Sequence, residues 1–162
     1  MAIRYLKIVL LAFIALLCLM YGGQNLVNLD AAYQAVGYVL RMDEHTVYPA
    51  SFGPAIHSPA LTWLALAMII STELGAGIVT AKGCLDLWAA RAAPANTFNA
   101  RKTWALFGCG LGIVVWLGFF SVIGGAYFQM WQTQAGALSL QGAFQYTAIC
   151  AFVLLFVNAT DR

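Results

Sequence analysis

Charge is what this sequence most lacks. Eight Lys and Arg with six Asp and Glu make up 9% of 162 residues, where a soluble domain carries about 25%. So few ionisable groups cannot coat a globule of this size, which excludes a water-soluble fold and turns the surface towards lipid. Histidine is missing from every long apolar stretch: the two present, His45 and His57, lie together in a polar connection. That excludes a membrane haem held by two histidines. Cys18, Cys84, Cys109 and Cys150 all fall in or near apolar stretches, so no pair stands in a polar loop to form a structural disulfide. Each reads as a small apolar side chain. There is no phosphate-binding glycine loop, nucleophile elbow or zinc-ligand spacing. No internal repeat is visible, and no basic cluster suits nucleic acid. The length leaves no room for a water-soluble catalytic domain, so the expectation is no enzyme, no cofactor and no metal.

What is present is apolar sequence, 62% of the chain. It is concentrated in four runs, from Tyr5 to Tyr21, Leu61 to Ala81, Trp104 to Phe128 and Leu140 to Val157. A helix needs about 20 residues to cross about 30 Å of hydrocarbon. In lipid each backbone polar group must be satisfied within its own segment, so these runs predict helices. The expected architecture is an all-α bundle of four transmembrane helices in one domain over 1–162, with helices over about 5–24, 59–90, 99–132 and 140–158. Ser58 and Pro59 supply a cap and a first helical residue for the second span. Ser139 offers a cap for the fourth, and Asn96, Thr97 and Asn99 are alternatives for the third. Arg4 and Lys7 precede the first run as in a signal peptide, but small residues at cleavage spacing are lacking before Tyr21-Gly22-Gly23. Leu17 before Cys18 is too large for a lipoprotein site. A retained first helix is expected.

Charge sets the expected orientation. Arg4, Lys7, Lys82, Arg91, Arg101, Lys102 and Arg162, seven of the eight basic residues, fall on one side of the four-helix arrangement. Only Arg41 falls on the other, beside Asp30, Asp43 and Glu44. The positive-inside rule puts both termini and the 82–102 loop in the cytoplasm and the loop of about 25–58 outside. Trp63 and Trp131 mark outer ends and Trp88 and Trp104 inner ends, as an interfacial aromatic belt requires. Within the outer loop Leu26, Leu29, Tyr33, Val36 and Leu40 recur at steps of three or four, with Asn25, Asn28, Gln34 and Arg41 between them. This predicts an amphipathic helix on the outer membrane face. From Thr46 to Pro59, three prolines and a glycine predict an irregular return.

Glu73 is the one ionisable residue deep in a span, about 18 Å from Leu61 at 1.5 Å per residue. A central acidic residue costs roughly 2.5–3.5 kcal/mol on insertion scales, so it must face protein or water. Ala76 and Gly77, one turn on, and Thr80, another turn beyond, let a neighbouring helix approach that face. Glu73 with Thr80 is therefore an intramembrane polar site: a lock between helices, or a proton or cation site. In the third span Gly108 and Gly112 share one face, while Gly110, Gly118, Ser121 and Gly125 cluster near the opposite one at 100° per residue. Small residues permit close packing in lipid, so Gly77, Gly108, Gly112, Gly118 and Gly125 are the expected packing or partner interface. Trp116, mid-span, reads as packed core or a lipid contact. His45 and His57 beside Asp43 and Glu44 lack the spacing of a known metal site.

The run Gly124-Gly125-Ala126-Tyr127-Phe128-Gln129-Met130-Trp131-Gln132-Thr133 resembles the signature of a bacterial family of predicted small integral membrane proteins of unassigned function. Within that signature Gly124, Gly125, Met130, Trp131 and Gln132 carry the likeness. Met42-Asp43, Ala55-Ile56 before Ser58-Pro59, Glu73 and Gly142-Ala143-Phe144 resemble further positions, so the likeness covers essentially the whole chain. It implies four transmembrane helices and no activity. The family pattern has glutamate at the place of Ala126 and arginine near that of Pro54, which implies an outer-surface charge pair that this chain lacks.

These readings lead to a multi-pass protein of the bacterial inner membrane. The leading expectation is a non-catalytic accessory or assembly subunit, with lipids and other integral membrane subunits as partners and with lipid or quinone between helices. The alternative is a small oligomeric transporter using Glu73. For that, Thr72, Thr80, Ser121, Gln145 and Thr147 would have to line one path with it. An intramembrane enzyme comes third, with Cys150 its only candidate nucleophile.

Overall fold

The computed structural model describes residues 1–161, so Arg162, counted above among the basic residues, lies outside the described residues. The elements are α1 (Ala2–Val27), α2 (Leu29–Arg41), α3 (Pro59–Ala89), α4 (Ala95–Ala100), α5 (Thr103–Ile113), a π-helix π1 (Val114–Tyr127) that continues α5, and α6 (Gln134–Asn158). A single 3-10 turn, Met130–Gln132, joins π1 to α6, and the described residues contain no strand. Four helical segments are long and apolar enough to cross a membrane: Ala2–Val27, Pro59–Ala89, Ala95–Tyr127 and Gln134–Asn158. Only 22–39% of each apolar window is buried inside the protein. The outward faces, with Phe13, Leu85, Phe144 and Phe152 exposed, are therefore as apolar as the core, as lipid as solvent demands.

Local chemistry sets the boundaries. Pro59 opens α3, and Ser58 Oγ accepts from Leu61 N. The fourth span starts earlier than its apolar pattern, because Thr133 is the cap, accepting from Gly136 N at 3.1 Å. Ser139 lies within α6 and bonds back to Ala135 O at 2.9 Å. A side chain at Gly136 would collide with the Met130 carbonyl, so the glycine is what allows this tight entry. The third span is not one helix from 99. It opens with the short α4, turns at Arg101 and Lys102, and restarts as α5. None of Asn96, Thr97 and Asn99 caps it, and Asn99 instead pairs with the backbone of Asp161. Beyond Ile113 the backbone widens to i→i+5 spacing for fourteen residues, and Ser121 Oγ donates to Trp116 O, five residues back, at 3.0 Å.

The core runs along Leu11, Ile14 and Cys18 of α1, Ala76 and Leu87 of α3, Cys109 and Trp116 of α5–π1, and Cys150 and Val157 of α6. Small residues set its tightest contacts. A methyl group on Gly77 would meet Leu19 of α1, on Gly83 the backbone of Ala105, and on Gly108 the backbone and hydroxyl of Thr80. So α3 and α5 touch backbone to backbone over this half of the bundle. Farther along, π1 keeps little contact with α3 and packs mainly against α6.

Charged groups close the end where α1 begins and α6 finishes. Lys7 and Lys102 both form ion pairs with Asp161 Oδ2 at 2.7 Å and donate to Ala159 O at 2.6 and 2.7 Å. Asn99 holds Asp161 through its backbone N–H and C=O, each at 3.0 Å. Arg4 donates to Arg91 O and Ala93 O and lies 4.6 Å over the Phe98 ring. The segments from both ends of the chain and the α3–α4 connection therefore meet at one end of the bundle, called here the terminal end. Burial pushes the Asp161 carboxyl up, but the hydrogen bonds and charges of Lys102 and Lys7 outweigh it and hold it below its ordinary range.

Candidate functional site

At the middle of the bundle Glu73 is 1% exposed. Asn25 Nδ2 of α1 donates to its Oε2 at 2.8 Å. The pairing follows from spacing: Gly22 and Asn25, three apart on α1, face α3, and a methyl on Gly22 would meet Leu74 and Glu73 Cβ. The glycine brings the helices close and the asparagine then reaches the carboxyl. Thr80, two turns from Glu73, is fully buried, but its hydroxyl donates to Ala76 O of its own helix at 2.7 Å. It abuts Gly108 and does not join Glu73 through a hydrogen bond.

Beside this pair the Tyr21 and Tyr146 hydroxyls bond each other across α1 and α6. Both rings pack on Trp116, at 6.2 and 5.2 Å. Trp116 is 2% exposed, so it belongs to the packed core and not to the lipid contact. A methyl on Gly112 would touch Cys150 Sγ at 3.1 Å and Cys18 Sγ at 3.7 Å, so two free thiols converge there. Thr147 Oγ1 is buried with no hydrogen-bond partner. The remaining polar side chains diverge. Thr72 bonds Met68 O and Ser121 bonds Trp116 O, each within its own helix, and Gln145 is exposed. Among the described residues no group of three or more His, Cys, Asp or Glu could hold a metal ion.

The separation of π1 from α3 leaves a cleft of about 300 Å³ at the half of the bundle away from the terminal end. Val36 and Leu40 of α2, Ala65 and Met68 of α3, and Phe119 and Phe120 of π1 are among its walls, and Asn25 lies at its edge towards Glu73. Thus Asn25, the hydrogen-bond partner of the buried carboxyl, also faces an apolar cleft.

The glycines are dispersed. Gly108 faces α3, Gly112 faces the thiols, and Gly125 meets Leu140 of α6. Gly118 meets only its own helix, and Gly110 faces open space. A count of 100° per residue fails once the helix takes π spacing at Val114, so Gly110, Gly118, Ser121 and Gly125 do not form one face. The signature run is a tertiary pin. Gln129 takes a left-handed conformation at φ 49°. Gln132 Oε1 accepts from Val47 N and Tyr48 N at 2.9 and 2.7 Å, and its Nε2 donates to Tyr48 O at 3.1 Å. The Trp131 ring meets Tyr48 edge-on at 5.2 Å. Met130 sulfur fills the space beside Gly124. Together they fasten the 43–58 return to the start of α6. Ala126 and the return residues Phe52 and Ile56 line one depression of about 450 Å³.

Two features were not singled out in sequence. Asn25 was a polar residue between apolar ones, although its distance of three from Gly22 was the signal. Asp161, near the end of the sequence, gave no sign that Lys7 and Lys102 would both turn inward to it. Compared with known proteins, the chain matches over residues 3–160 the family model described as "Predicted small integral membrane protein (DUF2165)". No curated protein and no solved structure matches it.

Proposed function

This chain belongs to the family of predicted small integral membrane proteins (DUF2165), and from that premise we propose that it is a non-catalytic accessory or assembly subunit of a larger complex of the bacterial inner membrane. One observation carries the reading: most polar groups inside the bundle are consumed within the chain, Thr147 Oγ1 being the exception. Glu73 is bonded to Asn25, and Thr72, Thr80 and Ser121 spend their hydroxyls on their own helices. That is the pattern of a structural bundle, in which interhelical polar contacts fix helix positions. Gly75 and Gly110 face open space, which leaves helix faces that a partner helix could approach closely.

The orientation is part of the proposal. Arg4, Lys7, Arg91 and Lys102 gather at the terminal end, and the positive-inside rule then gives cytoplasmic termini. α2 becomes an amphipathic helix on the outer face. Its Tyr33 ring stacks on Trp63 at 4.5 Å, an aromatic pair of the kind interfacial belts use.

The test is purification of the tagged protein from native membranes in mild detergent, with size and mass analysis. Stoichiometric co-purification with larger membrane subunits is the expected result. A lone chain or a homo-oligomer would overturn the reading. A small oligomeric transporter using Glu73 is the second reading, and Asn25 on the cleft wall favours it. Against it stands the lack of a shared path: Gln145 is exposed, and the hydroxyls of Thr72, Thr80 and Ser121 bond their own backbones. Loss of proton flux in Glu73→Gln proteoliposomes would revive it.

A further inference from the structure

The geometry points to the cleft between α2, α3 and π1 as a binding site for a neutral, flat-ringed carbonyl compound with an apolar tail, the chemistry of a membrane quinone. Four observations converge on it.

The first is that the cleft has a structural cause. Gly83 and Gly108 hold α3 and α5 in backbone contact, and the π-helical run then carries the span away from α3. π-Helical geometry is rare, usually a single turn, and frequent at functional sites. Here it is sustained for fourteen residues and supplies one whole wall. The second is size: about 300 Å³ lies at the lower end of the range of small-molecule sites. It suits a single ring and the start of a chain, not a two-chain lipid.

The third is the lining. Phe119, Phe120 and Phe128 with Met68 and Met130 surround the space, and aromatic and thioether groups favour a flat polarisable ring. The fourth is the polar complement. Ser139, at the rim, spends its hydroxyl on Ala135 O, which leaves the Asn25 amide as the hydrogen-bonding side chain on the wall. An amide gives one N–H to Glu73 and retains a second N–H for a ligand carbonyl.

Charge decides between occupants. Among the described residues no Lys, Arg or His lines the cleft, and Glu73 is bonded to Asn25. A fatty-acid carboxylate or a lipid phosphate would enter an apolar space facing an acidic group with no cation to balance it. A neutral carbonyl meets no such penalty.

The test is photolabelling of the full-length protein in phosphatidylcholine nanodiscs with a diazirine-bearing benzoquinone that carries a decyl tail, followed by peptide mapping. Saturable labelling of residues 65–69 and 119–130 is expected, displaced by excess unlabelled decyl-benzoquinone and not by equal oleic acid. Ala65→Phe, which fills the cleft from α3, should lower labelling at least tenfold. Asn25→Leu should weaken half-saturation about tenfold, the loss of one good hydrogen bond. If A65F does not fold, Ala35→Phe fills the same space from α2 and carries the same expectation. Labelling that does not saturate, that spreads over all lipid-facing helices, that oleic acid displaces equally well, or that survives the filling variant overturns the assignment. The outcome is independent of whether partner subunits co-purify.

Discussion

Asp161→Asn removes the one carboxylate that, among the described residues, two buried lysines share. Its consequence depends on whether that cluster behaves as a surface or a buried ion pair. Exposed pairs contribute about 0–1 kcal/mol, while breaking a buried one costs about 3–5 kcal/mol because an uncompensated charge remains. The side chains of Lys7, Asp161 and Lys102 are 2%, 6% and 5% exposed, which puts the cluster in the second regime. The Ala159 carbonyl still accepts from both ammonium groups, so the lower end applies, about 3 kcal/mol. For a chain of this length that corresponds to a fall in Tm of roughly 6–12 °C. The assay is thermal unfolding in mild detergent, monitored by helical circular dichroism and by size-exclusion recovery. Lys7→Met placed on top of D161N should restore part of the loss, since one unpaired cation is then gone and the two changes share a partner. The acid limb follows with the same sign. The folded-state carboxyl sits below its ordinary value. Its contribution is therefore complete above the unfolded value of about 3.9 and disappears as pH falls through the folded one. D161N should flatten that limb. A D161N variant within 0.5 kcal/mol of the parent at neutral pH, on the order expected for a surface pair, would refute the reasoning.

Three further outcomes follow from the packing. Gly83→Leu must push side-chain volume into the Ala105 backbone and should destabilise the bundle by at least the roughly 1–3 kcal/mol of ordinary overpacking, read as lost monodisperse yield, whereas Gly110→Leu, which faces open space, should be neutral. A double-mutant cycle on Asn25→Ala and Glu73→Ala should give a coupling of about 0.6 kcal/mol, with about 1.7 as a ceiling; zero coupling would mean that the interhelical bond does not form in the bilayer. Gln132→Ala should release the 43–58 return, seen as faster amide exchange at Val47 and Tyr48, whose N–H groups it holds, with α3 and α6 unchanged.

Much of the architecture was legible because lipid imposes so simple a rule. Four long apolar runs had to be helices, and the family was readable in the run from Gly124 to Thr133, which the family model bears out. Ser58-Pro59 announced its helix because its cap is local. Three things were hidden because they depend on distant partners. Thr133 outcompetes Ser139 as a cap only because Gly136 lets the chain fold back over Met130. The π register from Val114 has no signature in an apolar sequence, since side chains do not reveal which carbonyl an N–H will choose. Lys7 and Lys102 looked like simple topology charges, and only the position of Asp161 in space turns them inward. Of the candidate site, Glu73 was visible as an isolated charge in lipid. Its partner Asn25 required knowing which face of α1 meets α3.

The clasp at the terminal end also imposes a timetable. Lys7 and Asp161 are 154 residues apart, and at about 5–20 residues per second of synthesis roughly 8–30 s separate their appearance. Throughout that interval α1 sits in the bilayer with Lys7 lacking its counter-ion, and Lys102 joins it in the same state. The bundle can be threaded, and its helices can meet, but its floor stays unfastened until residue 161 arrives. A chain interrupted before that point would hold both ammonium groups without the Asp161 carboxylate that pairs with them.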